Sequence, residues 1–233
     1  MTDDVIKGKT IHIALIPDGN RRYAKKHHRP VWYGHIMGSK NIERFVDWCA
    51  EYKEIKTITI FALSTENLTR GGKEIDKLWG IYKNYLRRVA RSKKTKEHGI
   101  KVNILGSEGV WRSDVRQAAR DAMKLTAQYS RKVFNIMLSY GSQFEIINAA
   151  RKALDKGVKK GPVKKLFDDY LMVSQPVDLI IRTGDQHRLS NFMLYQSAYA
   201  EIYFSKTMWP DFTRKEFDKI MKWYFKQQRK FGR

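Results

Sequence analysis

The sequence has a single cysteine, Cys49, in 233 residues. No internal disulfide framework can form, and a cytoplasmic, reducing setting is expected. Phe45 and Val46 beside it mark the thiol as a small buried hydrophobe. There is no apolar run long enough to span a bilayer, and the opening MTDDVIKGKT carries no h-region of a signal peptide. No internal repeat is found. Acidic side chains are scarce: Asp+Glu number 24 against 46 Lys+Arg, a net charge of +22. Such an excess suits nucleic acid, an anionic membrane surface or phosphorylated substrates, and says little about fold. RNP-like and helix-turn-helix patterns are missing and the basic runs lack regular aromatic interleaving, so nucleic acid is not the expected partner. With 42% hydrophobic and 30% charged residues the composition is that of a globular domain with a sizeable core.

Short apolar runs alternate with amphipathic stretches along the whole chain. The first run, Ile11–Ile16 (IHIALI), reads as a buried parallel strand, and Pro17 stops it because proline cannot donate to a ladder. Further strands are expected at 57–62 (TITIFA), 101–105 (KVNIL), 133–138 (VFNIML), 177–181 (VDLII) and 201–204 (EIYF). Helical spacing relates Ile42, Phe45, Val46 and Cys49, and again Ile75, Leu78, Trp79, Tyr82 and Leu86. A third helix should follow a Ser113 N-cap, with Val115, Ala118, Ala119, Ala122 and Tyr129 on one face. A fourth covers 144–154, and a fifth follows the capping box of Thr213 and Glu216, with Phe217, Ile220, Met221 and Tyr224 inward. Pro30 should break any helix in the basic stretch 23–33, and 156–165 (KGVKKGPVKK) reads as an exposed linker. The alternation argues one α/β domain over 1–233, with a mainly parallel central sheet of about six strands flanked by helices.

Three of these strands run into polar clusters: Asp18-Gly19-Asn20-Arg21-Arg22, Ser64-Thr65-Glu66-Asn67 with Arg70, and Arg182-Thr183-Gly184 leading to Arg188 and Ser190. In a parallel sheet the C-terminal strand ends lie on one side, so the clusters can converge. Asp18 offers hard oxygen to Mg²⁺, and guanidinium forks suit phosphate. Charge-assisted hydrogen bonds of this kind contribute roughly 1.5–3 kcal/mol each. The set describes a site for one or two diphosphates.

The segments DGNRR after IHIALI, Gly34-His35, FALSTENLTR (61–70), RTGDQHRLSNFMLYQSAYAEIYF (182–204) and Trp209-Pro210-Asp211-Phe212 together resemble the cis-prenyltransferase family, over about residues 10–232. That family includes undecaprenyl and dehydrodolichyl diphosphate synthases. The resemblance implies a homodimeric, Mg²⁺-dependent enzyme with an elongated apolar tunnel beside the active site. The reaction implied is condensation of isopentenyl diphosphate onto an allylic diphosphate primer, giving a Z-polyprenyl diphosphate, the precursor of an undecaprenyl-type lipid carrier. Asp18 corresponds to the family's essential aspartate, acting with Mg²⁺ on the leaving diphosphate. Gly19, Asn20, Arg21, Arg22 and Tyr23 correspond to the loop around the allylic diphosphate, and His35 to a substrate-contacting histidine. Ser64, Thr65, Glu66 and Asn67 correspond to the loop at the reacting carbons, where Asn67 matches the residue assigned to proton removal. Arg70, Arg182, Arg188 and Ser190 correspond to the isopentenyl diphosphate site, and Glu201 to a second metal-associated carboxylate. An amide is a very weak base, so Asn67 reads as positioning, with a diphosphate oxygen or Asp18 the better proton acceptor.

The chain departs from the family pattern in places. An arginine expected four residues before His35 is Val31, with Arg29 nearby. The usual tryptophan after Asn67 is Leu68, and the usual Gly-Glu after Arg-Thr-Gly is Asp185-Gln186. The Arg-x-Gly tail appears as Lys230-Phe231-Gly232, which keeps the charge but loses the bidentate fork. A trans-type synthase, which would need two Asp-rich metal motifs on helices, is disfavoured: Asp168-Asp169 has no further carboxylates in helical register and reads as a solvated helix start. A catalytically silent partner subunit of the same fold is disfavoured by intact Asp18, Asn67 and Arg182. The basic faces at 87–96 and 215–230 suit peripheral contact with an anionic membrane. Product length and primer identity are not encoded in these motifs.

Overall fold

The computed structural model describes residues 10–69, 72–156 and 163–227. In chain order the elements are β1 (Ile11–Ile16), α1 (Asn20–Lys26), α2 (Val31–Glu51), β2 (Ile55–Ser64), α3 (Gly72–Arg91), α4 (Lys93–Glu97), β3 (Ile100–Leu105), α5 (Ser113–Thr126), β4 (Lys132–Tyr140), α6 (Ser142–Asp155), α7 (Val163–Asp169), β5 (Leu179–Arg182), β6 (Glu201–Phe204) and α8 (Arg214–Lys226). The six strands form one sheet in the order β3-β4-β2-β1-β5-β6, and every pairing is parallel. β1 lies inside it, flanked by β2 and β5, and all six of its residues are buried.

Side chains alternate across the sheet with a period of two, and this divides the core. Ile11, Ile13 and Leu15 face the larger half, together with Phe45 of α2, Leu78 and Leu86 of α3, Ala119 of α5 and Phe217 of α8. Phe45 and Phe217 are fully buried and meet edge to face at 5.2 Å. Full burial of such a ring contributes about 1.5–3 kcal/mol. Ala14 and Ile16 face the smaller half, which is closed largely by irregular chain through Val173, Val177, Phe192 and Met193.

Several local expectations are revised. α2 starts at Val31 rather than near Asn41, so Gly34, His35 and Gly38 sit inside a 21-residue helix. α1 ends at Lys26 with His27 as its cap, before Pro30 is reached, and Pro30 serves as the cap of α2. Arg112 occupies the N-cap of α5 and Ser113 is already helical, while Tyr129 lies beyond the helix end. Thr213 does cap α8 by accepting from the Glu216 backbone N–H at 3.3 Å. The Glu216 carboxylate, however, accepts from Ser205. Asp168 and Asp169 end α7 instead of opening it, and Asp168 pairs with Lys164. Most of the expected linker, along with the Lys230-Phe231-Gly232 tail, lies outside the described residues.

Candidate active site

Three adjacent strands, β2, β1 and β5, deliver their C-terminal ends to one crevice, where open parallel sheets place ligands. After Pro17 the chain turns at Gly19, whose φ of 106° is left-handed, and a Cβ there would stand 2.9 Å from the Met208 Cα. Only glycine meets both conditions without strain. α1 then packs on α2 so closely that a Cβ at Gly34 would lie 1.9 Å from the Asn20 carbonyl oxygen. The Trp-Pro-Asp-Phe stretch braces this turn from behind: Trp209 N–H donates to the Asp18 carbonyl at 2.9 Å, and Asn41 Nδ2 donates to the Trp209 and Phe212 carbonyls.

The Asp18 carboxylate accepts from the Gly19 N–H at 2.6 Å and from Arg182 Nη2 at 2.9 Å. Arg182, with its side chain 4% exposed, also donates through Nη1 to the Arg188 carbonyl and to Ser190 Oγ at 2.8 Å. It thus clamps the end of β1 to the loop after β5, and its Nε is buried without a partner. Arg22 donates to the Gly184 carbonyl and stands 3.7 Å from Asp18. Arg21 reaches Glu74 on α3 at 3.6 Å. After β2 a 3₁₀ turn, Thr65–Thr69, carries the second cluster, and the Asn67 N–H donates to Ser64 Oγ at 3.3 Å.

The resulting pocket holds about 850 Å³. Asp18, Gly19, Asn20, Arg21, Arg22, His35, Ser64, Glu66, Asn67, Arg182, Arg188 and Ser190 all line it. Four arginines against two carboxylates make it a site for an anion larger than one phosphate. Phe61, Ala62, Leu63, Leu78 and Tyr82 form its apolar side, a lining the polar motifs could not announce.

The family model for undecaprenyl diphosphate synthase matches residues 16–232. The chain belongs to that prenyltransferase family. A geranylgeranyl-diphosphate-specific tritrans,polycis-undecaprenyl-diphosphate synthase from Pyrococcus horikoshii is 37% identical over 230 residues, covering 95% of this chain and 86% of the relative. An isoprenyl transferase from Neisseria meningitidis is 37% identical over 223 residues, with 95% and 89% covered. Among solved structures, lavandulyl diphosphate synthase from Lavandula x intermedia in complex with dimethylallyl diphosphate superposes with a TM-score of 0.87 at 29% identity. That match covers 95% of this chain and 98% of the other.

Not every residue expected from the prenyltransferase resemblance reaches the pocket. Tyr23 is buried, its ring 4.3 Å from that of His27, and it does not line the site. Thr65 turns towards Gly141 instead. Glu201 opens β6 opposite Leu179, at the N-terminal side of the sheet. Three residues of strand put it about 10 Å from the ends that carry Asp18, so one protomer does not bring the two carboxylates together. Arg70 lies outside the described residues. Arg29 lines a separate outer cleft of about 550 Å³, which shares Arg21 and Arg22 with the pocket. Leu68 packs on the larger core.

Among the described residues the elongated apolar tunnel implied by the resemblance is not seen as an open channel. A second cavity continues from the pocket past Pro17, Asn20, His35, Ala62, Leu78 and Tyr82 towards Ile42, Tyr85 and Leu138. Its volume is about 60 Å³, room for roughly two waters. Tyr82, whose hydroxyl donates to the Ala62 carbonyl at 2.5 Å, and the fully packed Tyr85 fill the space between α3 and the sheet.

Proposed function

We propose that this prenyltransferase condenses isopentenyl diphosphate with an allylic diphosphate primer and extends it as a Z-polyprenyl diphosphate. The observation that carries the reading is the joining of two unlike spaces: an arginine-lined pocket with Asp18 at its floor, continuing into an apolar cavity. Diphosphates fit the first, and a growing prenyl chain fits the second once α3 yields. The names of archaeal relatives support geranylgeranyl diphosphate as the primer to try first.

Arg21 and Arg22, on the first turn of α1, face the primer diphosphate, while Arg188 and Ser190 receive isopentenyl diphosphate. Arg182 holds these two half-sites at fixed spacing through Asp18 and the 188–190 loop. Loss of the primer diphosphate builds negative charge on its oxygens, which the arginines stabilise in a low-dielectric crevice. The Ser64–Asn67 turn orients the reacting carbons. The proton released from isopentenyl diphosphate passes to a diphosphate oxygen or to Asp18, either of which is more basic than the Asn67 amide.

Among the described residues no cluster of three His, Cys, Asp or Glu side chains could hold a metal. Asp18, about one third exposed and at the pocket floor, suits Mg²⁺ only if substrate oxygens complete the shell. Mg²⁺ bound there with substrate supplies charge stabilisation to the departing diphosphate. The homodimer implied by the family resemblance is supported by Phe144, Ile147 and Leu154, which stand 46%, 57% and 73% exposed on α6. No helix among the described residues is long and apolar enough to cross a membrane. Peripheral contact with anionic lipid from the cytoplasm is supported by the exposed Lys215, Lys219, Lys222 and Lys226 along α8.

The deciding test is incubation with labelled isopentenyl diphosphate, Mg²⁺ and farnesyl or geranylgeranyl diphosphate, with product length read by chromatography. Labelled polyprenyl product, absent in EDTA, is expected. Label that stays in isopentenyl diphosphate with every primer overturns the proposal.

A further inference from the structure

Asn191 lines the pocket, yet the reaction as described leaves it without a role. Its backbone is left-handed, with φ 63°, between Ser190 at 51° and the nearby Met193 at 45°. Non-glycine residues adopt this region at a cost that neighbouring structure must offset. Here the offsetting contacts are specific. The Asn191 carbonyl accepts from the Ser142 N–H at 2.8 Å, and Oδ1 accepts from the Gln143 N–H at 2.9 Å, both in the first turn of α6. Nδ2 then donates to Glu66 Oε1 at 3.0 Å, across 125 residues of chain. The seat is tight: a Cβ at Gly141 would lie 2.8 Å from both Asn191 Nδ2 and Thr65 Oγ1. Burial pushes the Glu66 carboxyl up, but the hydrogen bond from Asn191 and others nearby outweigh it and hold its pKa below the ordinary value. Glu66 is therefore a charged acceptor for this bond.

We propose that Asn191 is a positioning residue for prenyl transfer, strapping the Glu66–Asn67 turn to the loop that carries Arg188 and Ser190 and anchoring both on α6. Arg182 ties the same loop to β1, so the pocket has two straps: one from β5 to Asp18, the other from Asn191 to Glu66. The second sets the distance between the turn over the reacting carbons and the isopentenyl diphosphate half-site. This inference rests on the proposed function, because the turn has a task only if two substrates meet beneath it.

Asn191→Asp keeps a residue tolerant of the left-handed backbone but replaces the Nδ2 donor with a carboxylate oxygen facing Glu66. Turnover should fall roughly ten- to a hundredfold, with KM for both diphosphates within about threefold of wild type. Glu66→Gln still accepts from Asn191 and should lose less. The pair Asn191→Asp with Glu66→Gln restores the bond with its direction reversed and should recover about tenfold over Asn191→Asp alone. Amide hydrogen exchange over residues 64–69, measured without substrate, should quicken in Asn191→Asp and slow again in the pair. Glu66→Ala leaves the grip of Asn191 on α6 intact and should quicken the same amides even if variants at 191 fold poorly. A pair no more active than Asn191→Asp, or exchange at 64–69 that no variant alters, overturns the proposal. A wild-type protein without prenyl transfer counts against the function itself; the exchange result, which needs no substrate, then still decides whether Asn191 orders the turn.

Discussion

Two polar assemblies share this sheet and differ in how much of their hydrogen-bonding capacity the chain itself uses. Midway along the strands, His12 of β1 accepts at Nε2 from the Thr59 hydroxyl of β2 at 2.7 Å, and its Nδ1–H donates to the Pro176 carbonyl at 3.1 Å. Asn135 of β4 donates to Thr59 at 3.0 Å, and Asn103 of β3 donates to Asn135 at 2.9 Å. This ladder joins four strands inside the core. At the C-terminal strand ends, by contrast, Arg182 Nε and Asn20 Oδ1 are buried without partners, and the Arg188 side chain stands exposed over the pocket. Satisfied polar groups hold a fold in place, whereas unused donors and acceptors beside a cavity are capacity kept for a ligand.

If that contrast is right, substitutions at the strand ends should cost activity and those in the ladder should cost stability. The largest effect is expected from Asp18→Asn, which retains an acceptor for Arg182 but loses the charge needed at the leaving diphosphate. Turnover should fall about a thousandfold or more, whereas the loss of one of the two acceptors should lower the melting temperature only modestly. Steady-state rates and calorimetry on one preparation check both halves, and activity within tenfold of wild type would remove Asp18 from the mechanism. Asp18→Ala is the harsher probe, because it leaves the buried guanidinium of Arg182 short of a partner.

The ladder should reveal itself through pH. Burial holds the His12 pKa down to about 4 against an ordinary 6.5, so the folded protein keeps the ring neutral where the unfolded chain already binds a proton. Its contribution is complete above pH 6.5 and is lost as pH falls from 6.5 towards 4, a total of about 3 kcal/mol. Denaturant titrations across that window should show a slope that flattens in His12→Gln. An equal slope in both proteins would separate His12 from the acid response.

Arg188→Ala sharpens the comparison within the site. The backbone carbonyl at 188, not the side chain, holds Arg182, so the clamp should survive and only a ligand contact be lost. KM for isopentenyl diphosphate should rise about ten- to a hundredfold with primer KM much less affected, and Arg188→Lys should recover only part. A primer-specific defect would exchange the two half-sites. Smallest of all, Asn135→Ala should destabilise by about 1–3 kcal/mol through the unpaired groups left on Thr59 and Asn103, with turnover unchanged. Loss of activity without loss of stability would erase the distinction between the two assemblies.

The strand ends were legible in the sequence because their chemistry is local. Asp18, Ser64 to Asn67, and Arg182 each follow an apolar run directly, and a parallel sheet can only bring such positions to one side. What escaped was set by long-range packing. The ladder residues lie 32 to 76 positions from their partners in other strands and look, one by one, like ordinary polar interruptions of a strand. The start of α2 was hidden because Gly34 and Gly38 weaken a helical pattern, although their purpose is to let α1 approach. Glu201 was grouped with Asp18 by resemblance, and strand register places it at the other end of β6. Tyr82 and Tyr85 fit a helix periodicity equally well whether they border an open tunnel or fill it.

The central claim is that the unspent capacity at the ends of β1, β2 and β5 belongs to two diphosphates. A crystal structure with isopentenyl diphosphate, Mg²⁺ and an allylic thiodiphosphate, whose carbon–sulfur bond resists cleavage, tests it most directly. The account predicts one diphosphate between Arg22 and Asp18, the other on Arg188 and Ser190, and the primer chain entering between α3 and the sheet past Tyr82. Both diphosphates in the outer cleft of Lys25, His28 and Arg29, with the pocket filled by water, would contradict it.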